Sequence, residues 1–126
     1  MPCACGSGRS YAQCCGPFHS DRASAPTAEA LMRSRYTAFA RGDAAYLLRT
    51  WDPKTRPRRL DLDDALRWTG LEVLATTGGA LFDTEGTVRF AAHYTDRGRA
   101  GVLREHSRFV RSDGAWLYVG PIPAAR

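Results

Sequence analysis

Four cysteines stand in the first fifteen residues, MPCACGSGRSYAQCC, as Cys3-x-Cys5, eight intervening residues, then Cys14-Cys15. Thiolates bind a soft divalent ion such as zinc at about 2.3 Å in a tetrahedron, and two short segments folded toward each other can supply its corners. Gly6, Gly8 and Gly16 permit the turns this requires. Magnitudes favour a metal. The segment offers Tyr11 and Phe18 as its large apolar side chains, worth about 1.5–3 kcal/mol each when fully buried. Ordering its backbone costs roughly 1–2 kcal/mol per residue, whereas structural zinc contributes on the order of 10–16 kcal/mol in small peptides. Zinc is therefore the expected cofactor, with Cys3, Cys5, Cys14 and Cys15 as ligands. Four thiolates leave no position for water, so the site reads as structural and not catalytic. Unliganded thiols and disulfides are the competing states. A reducing compartment disfavours disulfides, and joining Cys14 to Cys15 strains the backbone between them. His19 is a conceivable replacement ligand.

The elements that position such a site follow from pattern. The 126 residues, 44% apolar, suffice for one globular core with a small appendage. No run approaches the roughly 18 apolar residues of a membrane span, and the start, Met-Pro-Cys, lacks the form of a signal peptide. The chain reads as cytoplasmic, with no membrane partner. Its net charge of +5 comes almost wholly from arginine, Lys54 being the one lysine. That raises the odds of an anionic partner without specifying one.

The composition divides the chain into a cysteine segment, 1–19, a small polar linker, 20–26, and a periodic domain, 27–126. Leu31, Met32, Tyr36 and Phe39 recur at helical spacing over residues 28–40. Thr27 can cap that helix and Gly42 can end it; Asp43 can cap a second over residues 44–49. WDPKTRPRRL, with two prolines and four basic residues, reads as a surface loop. Residues 61–68 read as a further helical turn or two. Strands are predicted over 70–77, 87–95, 101–111 and 115–119, with turns at Arg97-Gly98 and Asp113-Gly114. Helices followed by an antiparallel sheet give an α+β fold.

The two turns set register and hence faces. Phe90 falls opposite Glu105, Ala92 opposite Leu103 and Phe109 opposite Tyr118. One face then collects Val88, Phe90, Ala92, Tyr94, Leu103, Phe109, Trp116 and Tyr118 for the helices to cover, with Glu105 and Ser107 among them. A carboxylate there needs a partner or a task. The functional reading is a pocket around Glu105 and Ser107, with Arg33, Arg35, Tyr36, Trp51, Phe90 and Tyr118 as candidate lining. The structural reading, which the absence of a histidine from that face favours, is an ion pair of Glu105 with Arg33 or Arg35. The opposite face carries Arg89, His93, Arg104, His106 and Arg108. Such a face suits RNA binding, pairing with a second copy, or plain solvation.

The run CACGSGRSYAQCCG resembles the SEC-C motif first described in the SecA translocation ATPase, where it contacts the export chaperone SecB. Ala4 stands where that motif usually has proline. LMRSRYTAFARGDAAYLLRTWDP, residues 31–53, and REHSRFVRSDGAWLYV, residues 104–119, resemble the YchJ-like family. The resemblance implies a zinc knuckle before an NTF2-like (cystatin-like) domain, a curved antiparallel sheet packed on N-terminal helices. It also implies that such domains dimerise through the outer sheet face. Many members carry a second SEC-C motif, which the residues after Gly120, PIPAAR, do not supply. It implies no reaction. The leading expectation is a protein-interaction module whose knuckle docks a protein partner. The alternatives are a small-molecule-binding protein or enzyme using the pocket around Glu105, and an RNA-binding module.

Overall fold

A computed structural model describes residues 2–63 and 65–123. A 3-10 turn, Tyr11–Gln13, leads into a one-turn helix α1 (Gly16–His19), then α2 (Ala28–Arg41) and α3 (Ala44–Arg49). Four strands follow: β1 (Leu66–Gly78), β2 (Glu85–Asp96), β3 (Arg99–Ser112) and β4 (Ala115–Pro121). They form one antiparallel sheet in the order β1-β2-β3-β4. No helix is long and apolar enough to cross a membrane.

The helix boundaries obey capping chemistry. Thr27 Oγ1 accepts the Ala30 amide at 3.0 Å, and α2 stops at Gly42 in the left-handed conformation. Asp43 Oδ1 accepts the Tyr46 amide at 3.1 Å and opens α3. Both predicted turns form with positive φ at their two central residues, Arg97 and Gly98, then Asp113 and Gly114. Such turns match strand twist and hold register. Phe90 pairs with Glu105, Ala92 with Leu103 and Phe109 with Tyr118, as the turns require.

Residues 61–68 give no helix: the described part is irregular until β1 begins at Leu66, four residues before the predicted strand start, and Asp64 lies outside the described residues. Pairing with β2 decides the matter, since Leu66 to Trp68 align with Asp96 to Tyr94. Register shifts at Trp68/Gly70 and Val73/Ala75 in β1, and at Arg108/Phe109 in β3, bend the sheet around α2. The segment after α3 extends that wall. Trp51 bridges Tyr118 in parallel, and Tyr118 exchanges backbone bonds of 2.8 Å with Thr50 and Asp52. Residues 20–26 are irregular, yet Ala25 is buried and the Pro26 carbonyl accepts Trp116 Nε1 at 3.2 Å.

The core lies between α2 and the covered sheet face, where Val88, Phe90, Ala92, Phe109 and Trp116 meet Leu31, Met32 and Tyr36. A smaller cluster of Ala38, Tyr46 and Leu47 joins α2 to α3. At the closed end of the β1–β2 hairpin, a Cβ on Gly86 would meet Gly79 Cα at 2.5 Å and Gly79 N at 2.6 Å. Backbone cannot yield as a side chain can. Gly86→Ala is expected to lower stability by about 1–3 kcal/mol, read as a lower urea midpoint at unchanged slope.

Candidate metal centre and aromatic cavity

The cysteine segment folds as two arms. Pro2 bridges Ser10, and the Cys3 amide donates to the Arg9 carbonyl at 2.7 Å. Gly6 and Gly8, at φ 81° and 85°, turn the first arm back. The 3-10 turn then delivers Cys14 and Cys15. All four sulfurs lie within 4.8 Å of one another, with Cys5 to Cys14 at 3.6 Å and Cys14 to Cys15 at 3.9 Å. A tetrahedron with 2.3 Å metal–sulfur bonds has edges of about 3.8 Å, so the donor set fits one tetrahedral ion. Disulfides are absent from this arrangement, and every cysteine is buried and free.

Electrostatics within the quartet agree. The hydrogen bond from Cys15 draws the Cys5 thiol down to about 4, and that same contact, aided by burial, pushes Cys15 up. Burial pushes the Cys14 thiol up as well, so the ion-free cluster resists ionising at Cys14 and Cys15, a resistance that a bound divalent cation would reverse.

The segment does not stand apart from the domain. Its cysteines belong to the same buried cluster as Leu31, Met32, Tyr36 and Val88. Cys3 Sγ lies 3.6 Å from Thr37 Oγ1, and Arg33 donates to the Cys5 carbonyl at 2.7 Å. The Arg41 guanidinium sits 3.9 Å from the Tyr11 ring centroid. His19 is spoken for: Nε2 donates to the Ser34 carbonyl at 2.8 Å, which leaves Nδ1 to accept from Tyr11 Oη at 2.8 Å. It is a buttress and not a replacement ligand.

The other side of α2 faces a cavity of about 140 Å³. Arg35, Tyr36, Trp51, Phe90, Glu105, Ser107 and Tyr118 line it. Met32, Phe39, Trp68, Ala92, Leu103 and Phe109 complete the wall. Trp68 packs edge-on against Tyr36 and Tyr94, and Trp51 against Tyr118. Helical periodicity already marked Met32 and Phe39. Trp51 was a candidate from the sequence, whereas the place of Trp68 depended on the pairing of β1 with β2, which periodicity does not report. Leu103, predicted under the helices, is 42% exposed because the cavity interrupts the cover.

Two expectations are corrected. Arg33 is outside the cavity, on the knuckle side of α2, where Nε bonds Glu29 at 3.0 Å. Glu105 makes no ion pair with Arg33 or Arg35. Its Oε2 accepts Tyr118 Oη at 2.8 Å and the buried Ser107 hydroxyl. Arg35 is drawn instead toward the end of α3, donating from one terminal nitrogen to the Leu47 carbonyl and Thr50 Oγ1, both at 2.7 Å. A helix C-terminus with spare carbonyls outcompetes a carboxylate already held by two hydroxyls. Burial, with the neighbouring carboxylate, pushes the Tyr118 phenol up, so it stays protonated and donates. On the uncovered face, Glu72 bonds His93 at 2.6 Å and Glu85 bonds Arg108 at 2.5 Å. These contacts spend part of the basic surface internally.

A family model described as YchJ, middle NTF2-like domain, matches residues 27–121. The chain belongs to the YchJ-like family. It is 63% identical over 117 residues to a UPF0225 protein of Streptomyces coelicolor, covering 93% of this chain and 91% of that one. Its fold resembles the solution structure of a SEC-C motif containing protein from Rhodopseudomonas palustris, with a TM-score of 0.86 and 34% identity over 99% of this chain and 100% of that chain. A SEC-C motif containing protein from Psychrobacter arcticus superposes at a TM-score of 0.77 and 26% identity, over 99% and 82% of the respective chains. In this YchJ-like chain, then, the four cysteines form a SEC-C cluster able to hold a metal, and the cavity is that of its NTF2-like domain.

Because the cluster is part of the common core, Cys5→Ser is expected to lower the melting temperature of the whole YchJ-like chain by about 15 °C or more. Circular dichroism of the sheet and tryptophan fluorescence should report one shared transition. A domain melting unchanged would show the knuckle to be independent. Burial also holds the His19 imidazole below its ordinary value. The unfolded chain takes a proton that the folded one resists, so this contribution is complete above about pH 6.5 and is lost as pH falls through the lower folded value. His19→Gln keeps a donor for Ser34. Its deficit in urea midpoint against the parent is expected to shrink between about pH 8 and about pH 5.

Proposed function

We propose that the chain is a small-molecule-binding protein in which a structural zinc ion holds one wall of the NTF2-like cavity in place. The observation that carries this reading is the division of labour on α2. Arg33, Thr37 and Arg41, four residues apart, touch the cysteine arms together with Ser34. Met32, Arg35, Tyr36 and Phe39, at i, i+3, i+4 and i+7, line the cavity. A tetrathiolate site with no open position supplies no Lewis acid to a substrate, but it does fix the helix that carries half of a binding site.

Zinc is the ion that a single tetrahedral set of four thiolates selects over harder cations. Burial of all four sulfurs supports a structural role over a docking one, since a partner would meet the exposed Pro2, Ala4, residues 6–9, Ala12 and Gln13 and none of the sulfurs. The cavity, by contrast, combines aromatic walls with a few convergent polar groups, the usual make-up of a small-molecule site. Among the described residues the Ser107 and Tyr118 hydroxyls both donate to Glu105, which suits the carboxylate to holding a ligand.

Two measurements test it. Metal analysis should give one zinc per chain with a sulfur-only coordination shell by X-ray absorption; nitrogen in that shell or no metal would overturn the staple. For the cavity, the three indole N–H signals serve as built-in reporters. Screening apolar fragments by NMR should shift those of Trp51 and Trp68, which line the cavity. That of Trp116, bonded to the Pro26 carbonyl, should stay in place. A screen in which no fragment moves the first two, or in which all three move together, removes the binding reading.

A further inference from the structure

Arg35 is 4% exposed, yet it spends only part of its donor capacity. One terminal nitrogen makes both of its hydrogen bonds, to Leu47 and Thr50. Among the described residues, Nε and the other terminal nitrogen have no partner, and neither is among the sealed, unsatisfied atoms. Arg35 itself is part of the cavity wall. The guanidinium carbon stands 5.0 Å from the Trp51 ring centroid and 4.5 Å from that of Tyr118. Burial lowers its proton affinity to about 10, so it remains a cation at neutral pH. A buried cation with idle donors is costly unless an anion completes it.

Glu105 presents the complementary half. Oε2 is taken by Ser107 and Tyr118, whereas Oε1 has no partner among the described residues. Both charged groups thus line one small space without pairing with each other. That space is about 140 Å³, close to the roughly 150 Å³ of a cavity known to admit benzene.

We infer that the cavity takes a small carboxylate with an apolar, ring-sized body and a hydrogen-bond donor remote from the carboxylate. The carboxylate completes Arg35 as a bidentate partner, the donor reaches Glu105 Oε1, and Trp51, Trp68 and Tyr36 enclose the body. This rests on the cavity reading above.

Isothermal titration of the zinc-loaded chain with benzoate, 4-hydroxybenzoate and benzyl alcohol tests the assignment. Benzoate is expected to bind at least about tenfold tighter than benzyl alcohol, and 4-hydroxybenzoate about tenfold tighter again. Arg35→Met should abolish the preference for acid over alcohol. Glu105→Gln should bring 4-hydroxybenzoate down to the affinity of benzoate. If Arg35→Met does not fold, the parent's acid-to-alcohol ratio and the Glu105→Gln result decide. Benzyl alcohol binding as tightly as benzoate overturns the carboxylate assignment and leaves the cavity reading intact. Binding of none of the three overturns this inference, and the fragment screen then judges the cavity independently.

Discussion

Four sulfurs crowded against one helix govern this molecule. All four thiol sulfurs are buried within 4.8 Å of one another at one side of α2, the spacing of a single tetrahedral ion's ligands. An ion at their centre would turn that crowding into attraction. The consequence reaches beyond the cysteine arms. Cys3 meets Thr37, the Cys5 carbonyl accepts Arg33, and His19 props Ser34, so the arms press on α2 along most of its length.

The opposite stripe of α2 is the roof of the cavity. A helix with two buried faces has little freedom to roll, and this one is gripped by the knuckle on one side and by Phe90, Phe109 and Trp116 on the other. Small domains bury a modest share of their surface and often rely on a metal to make up the deficit. Here the cysteine cluster packs on the same helix that carries Arg35 and Tyr36 to the cavity, so whatever fixes the cluster fixes their depth.

The sheet contributes rigidity of another kind. Two turns with paired positive φ lock β2, β3 and β4 in register, which sets Glu105 beside Ser107 and within reach of Tyr118. Hydroxyl donors hold the carboxylate without neutralising it. That differs from an ion pair, which would have filled the polar end of the cavity and left nothing for a ligand to satisfy. Similarity to SEC-C motif proteins at TM-scores of 0.86 and 0.77 extends over nearly the whole chain, knuckle included. The two parts recur as one unit.

Much of this was legible in residue order. Cysteine spacing with its glycines foretold that the four thiols cluster; Thr27, Gly42 and Asp43 bounded the helices; Arg97-Gly98 and Asp113-Gly114 gave the register, because caps and tight turns are decided by residues within a few positions of one another. What lay beyond was decided by partners distant in the chain. Leu66 to Trp68 carry no local mark of a strand and extend because β2 offers its edge. Arg33 and Arg35 are two apart, so helical geometry sends them to different sides, and only the placement of the knuckle and of the α3 terminus determines what each meets. The Glu105 ion pair failed for the same reason: opposite charges in one sequence predict attraction, but three-dimensional competition for donors and acceptors decides which contact forms.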